Sequence, residues 1–347
     1  MRGEEKFLVT GAMGCLGAWT IRALLDEGIP AVAFDHSTDR RRLRLLATDG
    51  ELEGVHFVQG DIRDLAALMA LVREQQITHI VHLAALQVPF CKADPVRGAQ
   101  VNVMGTVNVF ESALACRDQM QGLAYASSLA VFGPSHLYPE GCANDESPPS
   151  PGTLYGVYKQ ANEGTARIYA QDHGLGSVGL RPGTVFGVGR DQGLTSAPTL
   201  AMLAATAGLG YHIPYGGKSV YQFAPDVARL ALSAARAAPD GAVVANLGGA
   251  SVAMDQMVTA IRAVVPDISG SITFDDVALP FPSAVDASGL DRLVGGARYT
   301  PFEEGVRLTV EAFSDLLARG LVRPPDEDDP AGVAPGGKAA AAGEGHR

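Results

Sequence analysis

The stretch Phe7-Leu8-Val9-Thr10-Gly11-Ala12-Met13-Gly14-Cys15-Leu16-Gly17 decides the fold of this 347-residue chain. Its apolar start predicts a short buried strand, and the pattern over residues 16–27 predicts a helix directly after the glycines. Glycines at such a junction allow a tight turn and let the backbone approach a pyrophosphate at the helix N-terminus. The Gly-x-x-Gly-x-x-Gly spacing is a variant of the dinucleotide fingerprint, so we expect a nucleotide cofactor to contact Gly11, Gly14, Cys15, Leu16 and Gly17. The alternative is an ordinary glycine-rich turn.

Asp35 bears on which dinucleotide is bound. It ends the second predicted strand, residues 31–34, and follows Gly17 by 18 residues. This is close to the spacing of about 20 for the acid that accepts hydrogen bonds from the adenosine ribose. A carboxylate there repels a 2′-phosphate and favours NAD over NADP. Arg40, Arg41 and Arg42 lie nearby and weaken this inference, unless they only form a solvated helix face.

Strand-like and helix-like segments alternate along the first half of the chain. Six strands are expected near residues 7–9, 31–34, 56–58, 79–83, 123–126 and 177–180, with helical patterns between them. This alternation predicts an α/β fold, a Rossmann-type doubly wound parallel sheet with helices on both faces. We expect a cofactor domain over residues 1–182, a smaller α/β substrate lobe over 183–322 that interleaves with the sheet, and a disordered acidic, Ala/Gly-rich tail over 323–347.

Composition excludes several classes of partner. The net charge of −11 argues against nucleic acid or an anionic membrane, because phosphate binding needs basic surface. Four cysteines without Cys-x-x-Cys pairing indicate free thiols in a reducing compartment, with no metal site. The first residues lack an apolar signal core, and no segment is long enough to span a membrane, so a cytoplasmic protein is expected.

Tyr155 and Lys159 form a Tyr-x-x-x-Lys pair in the predicted helix over residues 155–172. Residues i and i+4 share a helix face, so the phenol and the ammonium are expected side by side. The lysine charge would favour the phenolate and lower the tyrosine pKa. A tyrosine of that kind can exchange a proton with a substrate alcohol. The alternative for an isolated pair is a solvated helix face.

Further motifs follow in a characteristic order. They are Asp61-Ile62, His82-Leu83-Ala84-Ala85, Asn102-Val103-Met104-Gly105-Thr106-Val107-Asn108, Ser127-Ser128-Leu129-Ala130-Val131-Phe132-Gly133, Arg181-Pro182 and Pro301-Phe302-Glu303-Glu304-Gly305. With the glycine loop and the Tyr-Lys pair, the chain resembles the extended short-chain dehydrogenase/reductases of the NAD-dependent epimerase/dehydratase family from about residue 6 to 317.

The resemblance implies roles for individual residues. Tyr155 would be the acid/base, Lys159 would lower its pKa and hold the nicotinamide ribose, and Ser128 would hydrogen-bond the reacting oxygen. Alignment on Gly133 favours Ser128 over Ser127. Further cofactor contacts would come from Asp61, Ile62, Leu83, Ala84, Ala85 and Asn102. His82 is interpreted as a packed strand residue, with a catalytic role as the alternative.

Three departures from the family's motifs narrow the reaction. Leu129-Ala130 replace the Asp-Glu of dehydratases, so water elimination is not expected. Gly183-Thr184 stand where sugar-nucleotide enzymes usually carry Asn. The stretch Val220-Tyr221-Gln222-Phe223-Ala224-Pro225-Asp226 lacks the diphosphate-binding Arg that they tend to carry ahead of the following helix. Only Arg offers a bidentate fork at such a site. The preferred function is NAD-dependent oxidation of a secondary alcohol of a sugar or sugar acid. The alternatives are a UDP-sugar 4-epimerase and a non-catalytic dinucleotide-sensing regulator.

The expected partner is a small polar substrate. Candidate substrate contacts are Gln87, Ser128, Thr184 and Arg190, and the loop over residues 189–196 offers charged, amide and hydroxyl groups to a polar ligand. The family resemblance also implies a homodimer formed through helices near residues 95–116 and 155–172. Apolar surface for this contact is expected from Val101, Val107, Val109 and Phe110, unless these side chains only cover the sheet.

Overall fold

The computed structural model describes residues 4–266 and 270–325. Its strands are β1 (Phe7–Thr10), β2 (Ala31–Asp35), β3 (Val55–Gln59), β4 (His79–His82), β5 (Gly122–Ala126), β6 (Cys142–Ala143), β7 (Ser177–Arg181), β8 (Thr184–Phe186), β9 (Tyr211–Ile213), β10 (Lys218–Phe223), β11 (Ala242–Asn246), β12 (Ala250–Ala253), β13 (Ile272–Phe274) and β14 (Ala284–Val285).

The α-helices are α1 (Cys15–Asp26), α2 (Arg41–Arg44), α3 (Asp49–Leu52), α4 (Leu65–Glu74), α5 (Val88–Ala93), α6 (Pro95–Ala99), α7 (Gly105–Ala115), α8 (Leu154–His173), α9 (Ala197–Thr206), α10 (Ala224–Ala237), α11 (Met254–Val264), α12 (Ser288–Val294) and α13 (Phe302–Ala318). The predicted tail over 323–347 falls largely on residues outside the described part of the chain.

Seven parallel strands form the central sheet in the order β11-β7-β5-β4-β1-β2-β3. The chain runs outward from β1 to β3, then returns to the other side of β1 with β4. The doubly wound parallel fold is thus confirmed, and a crevice is expected at the carboxyl ends of β1 and β4, where the strand order reverses.

Apolar side chains fill both faces of this sheet. One core lies under α1, α10 and α12 and includes Ile21, Leu24 and Leu230; the other lies under α4, α7 and α8 and includes Leu68 and Phe110. Burial on both faces explains why the strands are continuous apolar runs rather than alternating ones.

The second half of the chain contributes to both parts of the molecule. Strand β11 pairs in parallel with β7, and α10 packs against α1. A separate core around α9, α11 and α13 supports a three-stranded sheet, β12-β10-β8. These strand pairings join segments that are far apart in the sequence. The local sequence pattern after residue 182 therefore did not predict them.

The helix expected near residues 95–116 is interrupted by a π-helical turn at Gln100–Met104. The main-chain carbonyl of Asn102 accepts hydrogen bonds from the side chains of Asn162 and Thr106, at 2.9 and 2.8 Å. Such turns insert one residue into a helix and commonly mark functional sites.

Candidate active site

The glycine loop has the geometry of an anion-binding turn. Gly11 has a φ of 70°, and a Cβ there would lie 2.7 Å from the amide nitrogen of Ala84. A Cβ on Gly17 would lie 2.1 Å from the carbonyl oxygen of Gly11. Gly14 precedes α1, and no side chain caps that helix. The loop therefore fits a pyrophosphate, because only glycine permits these approaches and the helix N-terminus has no side-chain acceptor of its own.

Asp35 lies at the carboxyl end of β2, beside this loop. Its carboxylate accepts hydrogen bonds from the amides of Met13 and Ser37, both at 2.9 Å. Burial alone would raise the pKa of Asp35, but the hydrogen bonds from His36, Ser37 and Met13 outweigh it and lower that pKa. A carboxylate held ionised at this position fits a ribose diol and repels a 2′-phosphate.

The nearby arginines are largely engaged elsewhere. Nη2 of Arg42 lies 2.6 Å from Oδ1 of Asp191, and its Nη1 donates to the carbonyl of Met13 at 2.9 Å. Arg41 reaches the same Asp191 at 3.2 Å, and Arg40 stacks over Phe57 at 3.6 Å. The alternative that these arginines only form a solvated helix face is therefore wrong for Arg42, because its side chain connects Met13 of the glycine loop to Asp191.

The other expected cofactor residues surround the crevice in different roles. Ile62 packs against Gly105, where a Cβ would lie 2.8 Å from its side chain. Asp61 pairs with Arg63 at 2.6 Å, which helps to lower the Asp61 pKa. The amides of Leu83 and Ala84, followed by Ala85, run past Thr10, whose hydroxyl lies 3.3 Å from both.

Asn102 supports the crevice from beneath. Its side chain is fully buried, accepts from the amide of Leu86 at 2.7 Å and donates to the carbonyl of Leu86 at 2.9 Å. This arrangement fixes the loop after β4.

His82 is a packed strand residue, which agrees with the main interpretation of the sequence. Its ring nitrogens lie 2.7 Å from Oγ1 of Thr10 and 3.0 Å from Oγ1 of Thr106. Burial, with a smaller effect of the Lys159 charge, lowers its pKa to about 3. A neutral imidazole with both nitrogens bound gives no free group for acid/base chemistry.

Ser128, Tyr155 and Lys159 converge at the carboxyl end of β5. Ser128 follows β5, while Tyr155 and Lys159 occupy consecutive turns of α8, which Thr153 caps by accepting from the amide of Gly156 at 3.1 Å. The Ser128 hydroxyl acts on the Tyr155 phenol and partly offsets the rise that burial causes in the Tyr155 pKa. Nζ of Lys159 lies 5.6 Å from the Tyr155 ring centroid. The side-by-side arrangement of phenol and ammonium is thus present.

The expected lowering of the Tyr155 pKa is wrong for the ligand-free protein. Burial raises that pKa, and the opposing effects come from the Ser128 hydrogen bond and the charge of Arg190. Lys159 is itself buried, which lowers its pKa to about 8. Its ammonium donates to the main-chain carbonyl of Ala126 at 2.6 Å instead of the phenol.

The candidate substrate residues separate into two sets. Gln87 and Arg190 meet at Gly193, where a Cβ would lie 2.2 Å from Oε1 of Gln87 and 3.9 Å from Nη2 of Arg190. Arg190 donates to Thr195 at 2.8 Å, while its buried Nε has no hydrogen-bond partner among the described residues. Thr184 is instead buried between sheets, with its hydroxyl 3.1 Å from Oγ of Ser219.

Residues 187–193 form a strap that lies against the glycine loop, a contact the sequence did not reveal. The carbonyl of Val188 accepts from the indole of Trp19 at 2.9 Å and from the thiol of Cys15 at 3.9 Å. Burial raises the pKa of that thiol to about 12. Asp191 adds its ion pairs to Arg41 and Arg42. The glycines of this stretch signalled only a loop, because its partners are distant in sequence.

All four cysteines are free thiols, as expected. Within residues 4–266 and 270–325, no cluster of His, Cys, Asp and Glu could hold a metal ion. None of the helices described is both long and apolar enough to cross a bilayer.

Comparison with known proteins supports this arrangement. The model of the NAD-dependent epimerase/dehydratase family matches residues 7–248. UDP-glucuronate 4-epimerase 2 of Arabidopsis thaliana is 34% identical over 194 residues, 54% of this chain and 43% of that protein. The chain thus spans less than half the length of this curated relative.

Solved structures of two kinds of enzyme share the fold. UDP-glucose 4-epimerase of Thermus thermophilus, solved in complex with NAD, has a TM-score of 0.75 and 26% identity over 91% of this chain and all (100%) of that one. L-threonine dehydrogenase of Clostridium difficile has a TM-score of 0.78 and 20% identity over 92% of this chain and 100% of its own. The second likeness concerns the fold alone.

Proposed function

The chain belongs to the NAD-dependent epimerase/dehydratase family, and from this premise we propose that it oxidises a secondary alcohol of a sugar or sugar-acid substrate. The observation that carries the proposal is the convergence of Ser128, Tyr155 and Lys159 at the carboxyl end of β5. An intact acid/base set of this kind also speaks against a non-catalytic dinucleotide sensor.

Each catalytic side chain has a defined task in this reaction. Tyr155 accepts the proton of the substrate hydroxyl, and Ser128 hydrogen-bonds the same oxygen as charge develops on it. Lys159 contributes a positive charge one helical turn away, from an ammonium anchored on Ala126. When bound, NAD supplies the hydride acceptor and a positively charged ring. Positive charge nearby favours the phenolate, so it offsets the burial that raises the Tyr155 pKa in the ligand-free protein.

Arg190 and Gln87 are the proposed substrate contacts outside the catalytic set. A buried guanidinium nitrogen without a partner is costly, and an anionic or polar ligand oxygen would relieve that cost. The charge of Arg190 already acts on Tyr155, which places it near the reacting centre. This favours a substrate with a carboxylate or phosphate close to the oxidised carbon.

A UDP-sugar 4-epimerase is the second candidate. The identity to UDP-glucuronate 4-epimerase 2 and the strap against the glycine loop favour it, since epimerisation requires a cofactor that stays bound between half-reactions. Gln222 speaks against it: the side chain is 2% exposed, accepts from the amide of Gly183 and donates to the carbonyl of Leu247. It has no free group for a diphosphate.

Near-ultraviolet absorbance with NAD and a panel of sugars, sugar acids and UDP-sugars tests the proposal. Stoichiometric NADH formation is the expected result for one class of substrate. A product isomer without net NADH would replace the proposal by the epimerase. NAD binding without turnover of any panel member, unchanged by Tyr155→Phe, would favour the sensor.

We further propose that two copies of the chain associate. Exposed apolar side chains lie on α6, on the π-helical turn and on α8: Val96, 69% exposed, Met104, 54%, and Val157, 44%. Val109 and Phe110, expected to contribute to this surface, are instead buried in the monomer core.

Free cysteines support the cytoplasm as the compartment.

A further inference from the structure

Helix α8 contacts the serine loop, residues 126–128, at three successive turns. The contacts are Tyr155 to the Ser128 hydroxyl, Lys159 to the Ala126 carbonyl at 2.6 Å, and Glu163 to the Ser127 hydroxyl at 2.5 Å. Because Tyr155, Lys159 and Glu163 are spaced by four residues, they share one face of the helix. The proposed reaction uses Tyr155 and Lys159, but it assigns no role to the contact between Glu163 and Ser127.

Glu163 is a buried carboxylate with a fixed position. Its oxygens accept from Nε and Nη2 of Arg181, both at 2.8 Å, and the two side chains are 10% and 5% exposed. Arg181 also donates to the carbonyl of Asp145 at 2.9 Å and lies 4.7 Å from the ring centroid of Phe132. A bidentate pair restrained this way has little rotational freedom.

The orientation of the Ser128 hydroxyl depends on this neighbourhood. Its oxygen accepts from the amide of Ala130 at 3.1 Å, and the same hydroxyl acts on the Tyr155 phenol. Ser127, at 2% exposed, faces the opposite way, toward Glu163. A change of backbone angle at one serine therefore rotates the other.

We propose that Glu163 is a positioning residue that, by holding the Ser127 hydroxyl, fixes the angle at which Ser128 meets Tyr155 and the substrate oxygen. Arg181 keeps the carboxylate compensated in the interior, where an unpaired charge would be strongly destabilising. The expected effect of Glu163 on kcat rests on the proposed function. Its expected effect on the position of the serine loop does not.

Ser127→Ala is the test variant, because it removes the held hydroxyl and leaves the Glu163–Arg181 pair intact. Ser177→Ala is the matched control: this serine is also fully buried, but its Oγ has no partner among the described residues, and as the first residue of β7 it lies at the opposite end of the parallel strands from Ser127. Ser127→Thr restores a hydroxyl and serves as the rescue.

Hydrogen exchange of the ligand-free protein provides a readout that needs no substrate. In Ser127→Ala we expect the segment 126–132 to exchange about tenfold faster, with other core strands unchanged and Ser127→Thr close to the parent chain. Unaltered exchange in Ser127→Ala would overturn the positioning role, whether or not the proposed reaction is correct.

Steady-state kinetics with the substrate identified from the panel give the second readout. We expect kcat of Ser127→Ala to fall about 10- to 100-fold while the KM for NAD stays within twofold, because misplacement affects the transition state more than cofactor binding. A loss shared by Ser177→Ala, or a loss that appears only in the KM for NAD, would contradict the proposal. If the unmodified protein turns over no panel member, the proposed function fails and exchange alone decides the positioning role.

Discussion

At the scale of single residues, the pKa of Tyr155 stays above its usual value in the ligand-free protein, because its neighbours do not offset the effect of burial. Its phenol is protonated at neutral pH, since burial raises its pKa above the usual value of about 10. In the proposed reaction, proton abstraction by Tyr155 is therefore expected to depend on positive charge that the bound cofactor supplies.

Removal of the Tyr155 hydroxyl is expected to separate catalysis from binding. Tyr155→Phe should lower kcat by about 10²- to 10⁴-fold, the usual contribution of a positioned acid/base group. The Kd for NAD, measured by calorimetry, should change little, because the glycine loop and Asp35 are untouched. Tyr138→Phe is the control: this buried phenol bonds the amide of Gly133 and is outside the catalytic set. Equal losses in both variants would contradict the assignment.

Lys159 is expected to make stability depend on pH in a specific direction. Its pKa is about 8 in the folded chain and about 10.4 when unfolded, so below pH 8 both states carry the charge and the folded state bears its full burial cost. As pH rises from 8 towards 10.4, the folded state loses the proton first and that cost is relieved.

Lys159→Met should therefore gain melting temperature relative to the parent chain at pH 7, and this advantage should shrink above pH 8. Differential scanning calorimetry between pH 7 and 9.5 measures the difference. The lost hydrogen bond to Ala126 reduces the gain equally at every pH, so the slope is the diagnostic. A difference that does not vary with pH would contradict the lowered pKa of Lys159 in the folded chain.

At the scale of elements, the sequence predicted what depends on local pattern. The glycine loop, helix α8 and the six strands near the expected positions follow from apolar periodicity and turn residues, and the expected family and cofactor, NAD, are confirmed. Strand β11 and the strap were not predicted, because their pairing is between segments far apart in sequence. The raised Tyr155 pKa was missed for the same reason: burial is a property of the assembled fold.

Gly17 is a position of the glycine loop where a side chain has no room. Gly17→Ala would place a Cβ 2.1 Å from the Gly11 carbonyl, so the loop has to shift away from its anion-binding shape. We expect NAD affinity to fall at least about tenfold, as a lost or displaced hydrogen bond to a charged group would. Gly50→Ala in α3 is the control, because a Cβ there meets no atom within 4 Å. Calorimetric titration with NAD distinguishes them, and equal affinities would contradict the assigned role of the loop.

At the scale of the whole molecule, the apolar surface on α6, the π-helical turn and α8 predicts self-association. Val157→Asp should halve the mass found by light scattering at micromolar concentration, since a charge in an apolar contact is strongly unfavourable. Val277→Asp, at a position 63% exposed outside these helices, is the control and should leave the mass unchanged. A parent chain that is already monomeric would exclude the dimer.

The strap also matters at this scale, because it packs the segment after β8 against α1 and the glycine loop. Trp19, which donates to Val188 in the strap, is the sole tryptophan of the chain. Its emission therefore comes from one place, and an indole that exchanges a protein carbonyl for water should emit at longer wavelength. The molecule thus contains its own optical probe: without any label, tryptophan fluorescence reports whether residues 187–193 stay against α1.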